Sequence, residues 1–327
     1  MALVESRTPL AADDPNRDLG FGAVVARESR KRLVNKDGSF NVVREGLSFF
    51  RSLSPYHYLL TTSWPRFLGL IVVSYMVINA AFGAAYFACG PGQIEGSKAV
   101  SLPAQYLEDF FFSVQTFATI GYGAMHPEGL AANVLVTLES LVGLLGFALA
   151  TGILFARFSQ PTARILFSDK AIIAPYQQIN AFEFRVANIR RNEMIQVEVV
   201  VMLTRLKQDG TNNREFIPLK LERDKVVFFP LAWTIVHPID EASPLFGATR
   251  ESLQKCDVEV LILFSGIDEI FSQRVHTRSS YKAQEIVWGA RFTNLFNPPR
   301  PDGTLSIDIG RLHDVELVGP KVGASDP

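Results

Sequence analysis

Cysteine, net charge and enzyme motifs are all scarce in this sequence, and each scarcity argues against a class of protein. Two cysteines in 327 residues exclude a disulfide framework and a cysteine-rich zinc site. The net charge of -1 argues against a nucleic-acid partner, which needs a basic face. The sequence contains no P-loop, no G-x-S-x-G and no complete G-x-G-x-x-G, and its five histidines are scattered. We therefore predict that the protein is not an enzyme.

Long apolar runs, by contrast, are present, and they lie between Phe67 and Phe158. Residues 67–88 carry no charge, and residues 131–156 carry one ionisable group, Glu139. At 1.5 Å per residue the shorter run spans about 33 Å, enough for a hydrocarbon core of about 30 Å. We predict two transmembrane helices at about these positions. Two buried helices of a soluble protein are the alternative.

Lysine and arginine indicate the side of the membrane on which the termini lie. Residues 1–66 contain ten of them, Arg157 and Arg164 follow the second run, and only Lys98 lies between the runs. The positive-inside rule predicts a multi-pass protein of the cell membrane with both termini in the cytoplasm, and in a Gram-negative cell this is the inner membrane. Trp64 and Tyr86 are expected to anchor opposite ends of the first helix at the two interfaces.

The segment between the two runs is too aromatic for a plain outer loop. Residues 106–123 are amphipathic and end at glycines, which predicts a short helix, roughly 104–118, that dips into the membrane and returns. Non-helical backbone at membrane depth survives only where protein buries it or where it lines a water-filled cavity. The C-terminal end of this pore helix carries partial negative charge, which would favour a cation in a central cavity.

The five residues after this helix resemble the potassium-channel signature, in which four copies of Thr-Val-Gly-Tyr-Gly supply rings of backbone carbonyls. They are Thr119, Ile120, Gly121, Tyr122 and Gly123. The glycines permit backbone angles that let successive carbonyls face one axis. A chance pentapeptide in a glycine-rich turn is the alternative. Because one chain supplies a quarter of each ring, the filter predicts a tetramer that holds K⁺ by its carbonyls and needs no cofactor.

The second span is expected to line the pore below the filter. Phe147, Thr151 and Phe155 fall on one helical stripe, and four copies of Phe155 could form a hydrophobic gate. Packing of Phe155 between helices is the alternative. Gly143 is a candidate hinge, or else a site of close helix packing. Glu139 is expected to support the filter through a hydrogen bond to filter or pore-helix backbone, with direct ion binding as the alternative.

From residue 159 onward the sequence changes to short β-rich segments separated by turn signals, and this pattern indicates a β-sandwich. The predicted strands are 182–189, 195–206, 226–236, 258–264 and 304–309. Before the first span, residues 46–60 carry aromatic side chains that are suited to lying on the bilayer surface.

Motifs in the second half resemble those of inward-rectifier potassium channels. Residues 184–190 match the family's F/W-R-V-x-N-[LI]-R, and residues 237–245 match its H-x-I-D-E-x-S-P-L. Arg-Ser-Ser-Tyr at 278–281 follows in the family's order, and the similarity runs from about residue 40 to 316. The short outer loop and the Phe-Ala-Arg-Phe ending of the second span are most similar to the prokaryotic (KirBac) branch.

With this resemblance, the predicted fold class is membrane α-helices followed by an all-β domain. The resemblance implies the following organisation: a cytoplasmic N-terminal segment at 1–45, an interfacial slide helix at 46–63, a two-span pore domain at 64–158 with pore helix and filter at about 104–123, and a cytoplasmic immunoglobulin-like β-sandwich with a regulatory role at 159–327.

The resemblance also implies a K⁺-conducting homotetramer controlled by anionic phospholipids, possible ligands among them being phosphoinositides. The basic residues that match the lipid-binding region are Arg66, Arg157, Arg164 and Lys170. A basic residue at the membrane–cytoplasm junction attracts anionic headgroups in any case, so plain positive-inside anchoring is the alternative for each. Block by Ba²⁺ or Mg²⁺ is a further expectation.

The sequence departs from the family pattern where strong rectifiers carry acids. Phe147 occupies the inner-helix position and Gln196 the position in the cytoplasmic pore, although Glu269 keeps one further acidic match. Because these changes remove charge that would hold Mg²⁺ or polyamines, we predict weak rectification.

The filter also lacks the salt bridge of the eukaryotic branch, because Gln115 and Met125 occupy its two positions. Glu139 is therefore the candidate for bracing the filter. The competing hypothesis for the whole protein is a membrane-anchored ligand sensor with a non-conducting pore. A carbonyl ladder argues against it, since an anchor has no need of one.

Overall fold

The computed structural model describes residues 19–21, 31–41, 54–160, 164–190, 193–207, 213–229 and 231–318. The chain divides into two compact units, Glu45–Gln160 on one side and Met1–Arg44 with Pro161–Pro327 on the other. Much of the expected N-terminal segment and residues 46–53 of the expected slide helix lie outside the described residues.

The first unit is built of helices. In chain order its elements are α1 (Pro55–Thr61), α2 (Trp64–Cys89), β1 (Ile94–Glu95), α3 (Leu102–Phe117), β2 (His126–Pro127) and α4 (Leu130–Phe158). The helices α2 and α4, of 26 and 29 residues with a mean hydropathy of 2.0, are long and apolar enough to cross a membrane. The two short strands pair antiparallel between the helices.

Local sequence sets the ends of the helices. Both α2 and α3 follow a serine in extended conformation and carry proline in the first turn, where a missing N–H costs nothing. The helix α2 ends at Gly90, whose φ of 88° a side chain would disfavour. At Gly83 it crosses α3 so closely that an added Cβ would lie 2.9 Å from the Cα of Phe110. Glycine at this crossing therefore sets the distance between the two helices.

The second unit is rich in β-strands. Its strands are β3 (Ile165–Phe167), β4 (Ala171–Tyr176), β5 (Ile179–Asn188), β6 (Met194–Leu206), β7 (Arg214–Pro218), β8 (Lys225–Phe229), β9 (Ala232–Ile239), β10 (Glu259–Asp268), β11 (Gln273–Lys282), β12 (Ile286–Trp288), β13 (Ala290–Phe292) and β14 (Val315–Leu317). Two short 3₁₀ turns (Ala283–Glu285 and Ile309–His313) and one helix, α5 (Arg250–Lys255), complete it.

Two five-stranded sheets make up most of this unit. One has the order β11-β10-β6-β7 with β8 also on β6, and the other has the order β12-β4-β5-β3 with β9 also on β5. All their pairings are antiparallel except β12 with β4. Alternate side chains of both sheets, such as Phe182 and Phe184 from one and Val199, Val201 and Phe264 from the other, share one buried cluster. Sheets that share a core in this way form a sandwich.

Two of the predicted strands differ from the structure. The predicted strand 226–236 is two strands, because the chain leaves the partner β6 after β8 and joins β5 as β9. The predicted strand 304–309 is wrong: only Ile307 makes an isolated bridge, and a 3₁₀ turn follows. The Asp308 side chain accepts a hydrogen bond from the Gly310 N–H at 2.9 Å, and this local bond competes with strand pairing.

A short N-terminal stretch packs within the β-rich unit. Leu33 and Val34 are buried, and the fully buried carboxylate of Glu259 accepts the Leu33 N–H at 3.0 and 3.1 Å and the Val34 N–H at 3.3 Å. The Lys282 ammonium lies 3.4 Å from the same carboxylate. A buried charge therefore receives both hydrogen bonds and a counter-ion, as burial of an ionised group requires.

Candidate functional site

The loop after α3 has a backbone that alternates in hand. Thr119, Gly121 and Gly123 have φ angles of 55°, 56° and 81°, whereas Ile120 and Tyr122 between them keep negative φ. In a regular strand successive carbonyls point to opposite sides. Reversing the hand at every second residue turns them toward one side, which is the arrangement a carbonyl ladder needs. A positive φ at a β-branched threonine is unusual, and strain of this kind clusters at functional sites.

Gln115 holds this loop by both its main chain and its side chain. Its carbonyl oxygen accepts the N–H of Ile120 at 2.7 Å and of Gly121 at 3.3 Å, and its side-chain oxygen accepts the N–H of Tyr122 at 3.3 Å. The Thr116 carbonyl accepts the Thr119 N–H at 3.0 Å. Because the N–H groups point back to the end of α3, the carbonyls are left for another ligand.

The loop is exposed in the single chain. Tyr122 is 78% exposed, and apart from the glycine itself and its two chain neighbours no residue has an atom within 4 Å of the place where a Cβ would stand on Gly121 or Gly123. The glycines are therefore required by their φ angles and not by crowding. An exposed aromatic ring beside the loop offers a surface that further protein can cover.

Glu139 lies in a polar cluster that joins three helices. It is fully buried; its Oε2 accepts the Tyr86 hydroxyl at 2.5 Å, and its Oε1 contacts the Ser113 hydroxyl. The Ser113 hydroxyl also lies 3.1 Å from the side-chain oxygen of Asn79. The expected bond from Glu139 to filter or pore-helix backbone is thus replaced by bonds to side chains of α2 and α3.

Tyr86 is not an interfacial anchor, and the expectation that it is one was wrong. Its side chain is 2% exposed, its ring packs edge-on against Phe112 with centroids 5.1 Å apart, and its hydroxyl faces Glu139. From the sequence, a buried tyrosine near the end of an apolar run looks the same as an interfacial one, because the run does not show which side of the helix faces lipid.

Gly143 marks a close contact between α4 and the end of α3. A Cβ at this position would lie 2.7 Å from the carbonyl oxygen of Phe117, closer than side chains are found. Gly146, one turn later, has Phe117 Cζ at 3.6 Å, an ordinary contact. Close packing at Gly143 is thus visible in the structure, and a hinge there stays a prediction.

The stripe predicted to line the pore is exposed in the single chain. Phe147 is 74% and Phe155 72% exposed, and Thr151 between them is exposed as well. Phe147 also borders an apolar groove between α2 and α4, together with Tyr75 and Ile153. The stripe is therefore available to face an axis that further chains would enclose.

Arg157, near the end of α4, has both terminal nitrogens occupied within the first unit. They donate to the carbonyl oxygens of Leu59 and Thr62, the second at 2.7 Å, and the guanidinium lies 4.7 Å from the ring centre of Trp64. Carbonyls at the end of α1 are natural acceptors for a cation. The guanidinium thereby connects α1 with α4.

The other three candidate lipid residues, Arg66, Arg164 and Lys170, are exposed. Gln196, a candidate for the cytoplasmic ion path, is exposed with a φ of 49° at an irregularity in the pairing of β6 with β10. Glu269 is exposed directly after β10. Among the described residues no group of three or more His, Cys, Asp or Glu side chains could hold a metal ion.

Sequence reasoning missed the part that Gln115 plays. The signal that could have identified it is a long polar side chain four residues before the threonine of the loop, in the last turn of α3. At that place a side chain points along the helix end, where the loop turns back.

Two family descriptions match this chain. Residues 70–160 match a family described as ion channel, and residues 165–325 match the inward rectifier potassium channel C-terminal domain. The first match lies within the helical unit and the second within the β-rich unit.

Individual relatives extend over nearly the whole chain. The inward rectifier potassium channel Kirbac3.1 of Paramagnetospirillum magnetotacticum is 43% identical over 297 residues, which cover 90% of this chain and 99% of the relative. The G protein-activated inward rectifier potassium channel 3 of Homo sapiens is 30% identical, over 92% of this chain and 81% of the relative. The inward rectifier potassium channel 18 of Homo sapiens is also 30% identical, over 94% and 77%.

Proposed function

This chain belongs to the inward-rectifier potassium channel family, and from that premise we propose that four copies of it conduct K⁺ through a filter formed by Thr119 to Gly123. The alternating hand of this loop is the observation that carries the proposal, because it turns the carbonyls toward one side. Rings of such carbonyls replace the hydration shell of K⁺, and no cofactor is needed. One chain can supply only one carbonyl to each ring, which is why the unit that conducts is a homotetramer.

The chain is a membrane-protein subunit of an ion channel and not an enzyme, because the families and relatives that it matches are ion channels. Its two apolar helices are long enough to span the bilayer. We place both termini in the cytoplasm, in the inner membrane of a Gram-negative cell, because lysine and arginine lie outside the segment between the helices except for Lys98. Relatives that are all channels favour conduction over the alternative of a sensor with a non-conducting pore.

The gate in this proposal is a ring of Phe155 near the cytoplasmic end of α4. Phe147, Thr151 and Phe155 are exposed in the single chain, which supports placing them toward the central axis of the tetramer. The filter and this stripe would then line the same ion path. A ring of four phenylalanines closes a pore by excluding water. Gly143 would be the hinge from which the lower part of α4 bends.

Anionic lipid is proposed to regulate the channel through Arg66, Arg164 and Lys170, which are exposed. Arg157 contributes less to lipid binding in this proposal, because its terminal nitrogens already donate to carbonyl oxygens. Replacing exposed arginine by glutamine should weaken activation or inhibition by phosphoinositide vesicles, whereas Arg157→Gln should affect the channel equally with and without them.

Weak rectification is proposed from the two positions that lack an acid. Phe147 and Gln196 carry no charge, so the ion path holds internal Mg²⁺ and polyamines poorly, while exposed Glu269 retains some attraction for cations.

Uptake of ⁸⁶Rb⁺ into liposomes that contain the purified protein tests the central proposal. Excess K⁺ and Ba²⁺ should suppress uptake, and Na⁺ should not. Gly121→Ala should damage this discrimination, because the residue has a φ of 56° that alanine disfavours. If uptake is absent with and without anionic phosphoinositide, and also after Phe155 is shortened to alanine, the sensor replaces the channel as the proposed function.

A further inference from the structure

In the polar cluster around Glu139, the number of hydrogen-bonding protons can be compared with the number of contacts that need one. Three oxygen–oxygen contacts run through it: Tyr86 to Glu139, Glu139 to Ser113, and Ser113 to Asn79. Each contact needs one proton between its two oxygens. The tyrosine and serine hydroxyls supply one proton each, so an ionised Glu139 leaves one contact as two facing lone pairs.

The orientation of Asn79 cannot supply the missing proton. Its side-chain nitrogen donates to the carbonyl oxygen of Tyr75 at 2.8 Å, one turn earlier in α2. Turning the amide over would place its oxygen against that carbonyl oxygen, so the side-chain oxygen must face Ser113. The Ser113 proton therefore goes to Asn79, and Ser113 must in turn accept a proton from Glu139.

Among the residues that the structure describes, no lysine or arginine side chain contacts the Glu139 carboxyl group. The cations of α2, α3 and α4 are Arg66 and Arg157, and eighteen residues of helix place Arg157 about 27 Å from Glu139. The titratable groups nearby are Tyr86 from α2, Asp109 buried one turn before Ser113 on α3, and Glu139 itself on α4. A buried carboxylate without a counter-ion is costly, and a neutral acid is not.

We propose that Glu139 is a neutral carboxylic acid that donates its proton to Ser113 and accepts the Tyr86 hydroxyl, and that it is a positioning residue of the filter. The relay Glu139–Ser113–Asn79 connects α4, α3 and α2 in sequence and fixes the height of α3 between the two spans. The filter begins directly after α3, so its position depends on this height. The positioning part rests on the proposed function, whereas the protonation state does not.

Glutamine is the variant that distinguishes the neutral acid from the carboxylate. In Glu139→Gln the side-chain nitrogen would donate to Ser113 and the oxygen would accept from Tyr86, which reproduces the pattern of the protonated acid. Glu139→Asp removes one methylene, so the carboxyl group cannot reach both partners. Thr137→Val, on the same helix at an exposed position where the hydroxyl bonds only its own backbone, is the matched control.

Two measurements on the full-length tetramer in vesicles test the proposal. Infrared difference spectra of wild type minus Glu139→Gln should contain the carbonyl stretch of a protonated acid, and any signal of Asp109 cancels in the difference. Uptake of ⁸⁶Rb⁺ should stay at the wild-type level in Glu139→Gln and Thr137→Val, and it should fall by about tenfold in Glu139→Asp, which loses at least one of the two buried hydrogen bonds.

The proposal is overturned if the difference spectrum contains no protonated acid. It is also overturned if Glu139→Gln is as impaired as Glu139→Asp or fails to assemble, since glutamine offers the same donor and acceptor as the neutral acid. If ⁸⁶Rb⁺ uptake is absent with and without anionic phosphoinositide, and also in Phe155→Ala, the channel function fails, and the infrared spectrum still decides the state of Glu139.

Discussion

Gln115 braces the proposed filter loop, although it occupies a position that forms a salt bridge in the eukaryotic branch. Its main-chain oxygen receives two N–H groups of the loop and its side-chain oxygen a third. A neutral amide can brace the loop in this way without any positively charged partner. The side chain is buried, so a lost acceptor here is not replaced by bulk water.

Replacing Gln115 by alanine should therefore loosen the filter at Tyr122. The loss of one hydrogen bond amounts to about 1 kcal/mol, or about fivefold in the preference for K⁺ over Na⁺. Gln115→Glu keeps an acceptor oxygen and should retain more of the preference than alanine does. Competition by Na⁺ against ⁸⁶Rb⁺ uptake measures both. Gln105→Ala, in the same helix far from the loop, should change nothing, and an equal effect there would contradict the assignment.

At the level of elements, α3 is held between α2 and α4 by contacts too close for a side chain. Gly83 meets the backbone of Phe110, and Gly143 meets the carbonyl oxygen of Phe117. Small residues let helix backbones approach each other in a membrane, where no hydrophobic effect drives helices together. The middle and the C-terminal end of α3 are thus placed by glycines on neighbouring helices.

Gly143→Ala should push α3 away from α4 and destabilise the folded helical unit. Overpacking of this kind costs about 1–3 kcal/mol, which corresponds to a Tm lower by at least about 2 °C. Thermal unfolding of the detergent-solubilised protein measures the shift. Gly146→Ala is the matched control, since its nearest neighbour is a ring carbon at 3.6 Å, and it should unfold near the wild-type temperature. Equal Tm shifts for both variants would show that a change in helix flexibility, and not crowding, lowers the stability.

At the scale of the whole molecule, the proposed ion path runs through two chemically different parts. The proposed filter offers backbone carbonyl oxygens, whereas the stripe of α4 offers two phenylalanine rings and the hydroxyl of Thr151. In the proposed tetramer, four phenylalanines at position 147 would leave the cavity below the filter without charge, so the path would have little to hold a multivalent cation. The strength of rectification is therefore a property of the assembled pore, set by a few side chains repeated four times.

Phe147→Asp should convert the channel to steep block by internal spermine. Four carboxylates around one axis attract a polyamine strongly, and the apparent affinity for spermine should rise by at least about tenfold. Patch recordings with spermine on the cytoplasmic side measure the block. Phe147→Asn introduces a side chain of the same size as aspartate but without charge, so block by spermine should stay weak. Strong block in the unmodified protein would refute weak rectification.

Much of the fold follows from the chain alone, and each success has a local cause. The two spans follow from the length of uncharged runs, and the sandwich follows from alternating strands and turns, so the fold class is confirmed by the families that match each part. The strand expected at 304–309 failed because a side-chain hydrogen bond of Asp308 stabilises a 3₁₀ turn, and hydrophobic alternation does not register such a bond.

The sequence by itself determined what is written in neighbouring residues: the two long apolar helices, the short helix between them and the family motifs. The tertiary structure decided which side chains meet: Gln115 beneath Tyr122, Arg157 at the end of α1, and Tyr86 against Glu139, which lie 53 positions apart. The physical reason is that helix length and backbone hand are local properties. A hydrogen bond between helices depends on the rotation and height of each, and only packing sets these.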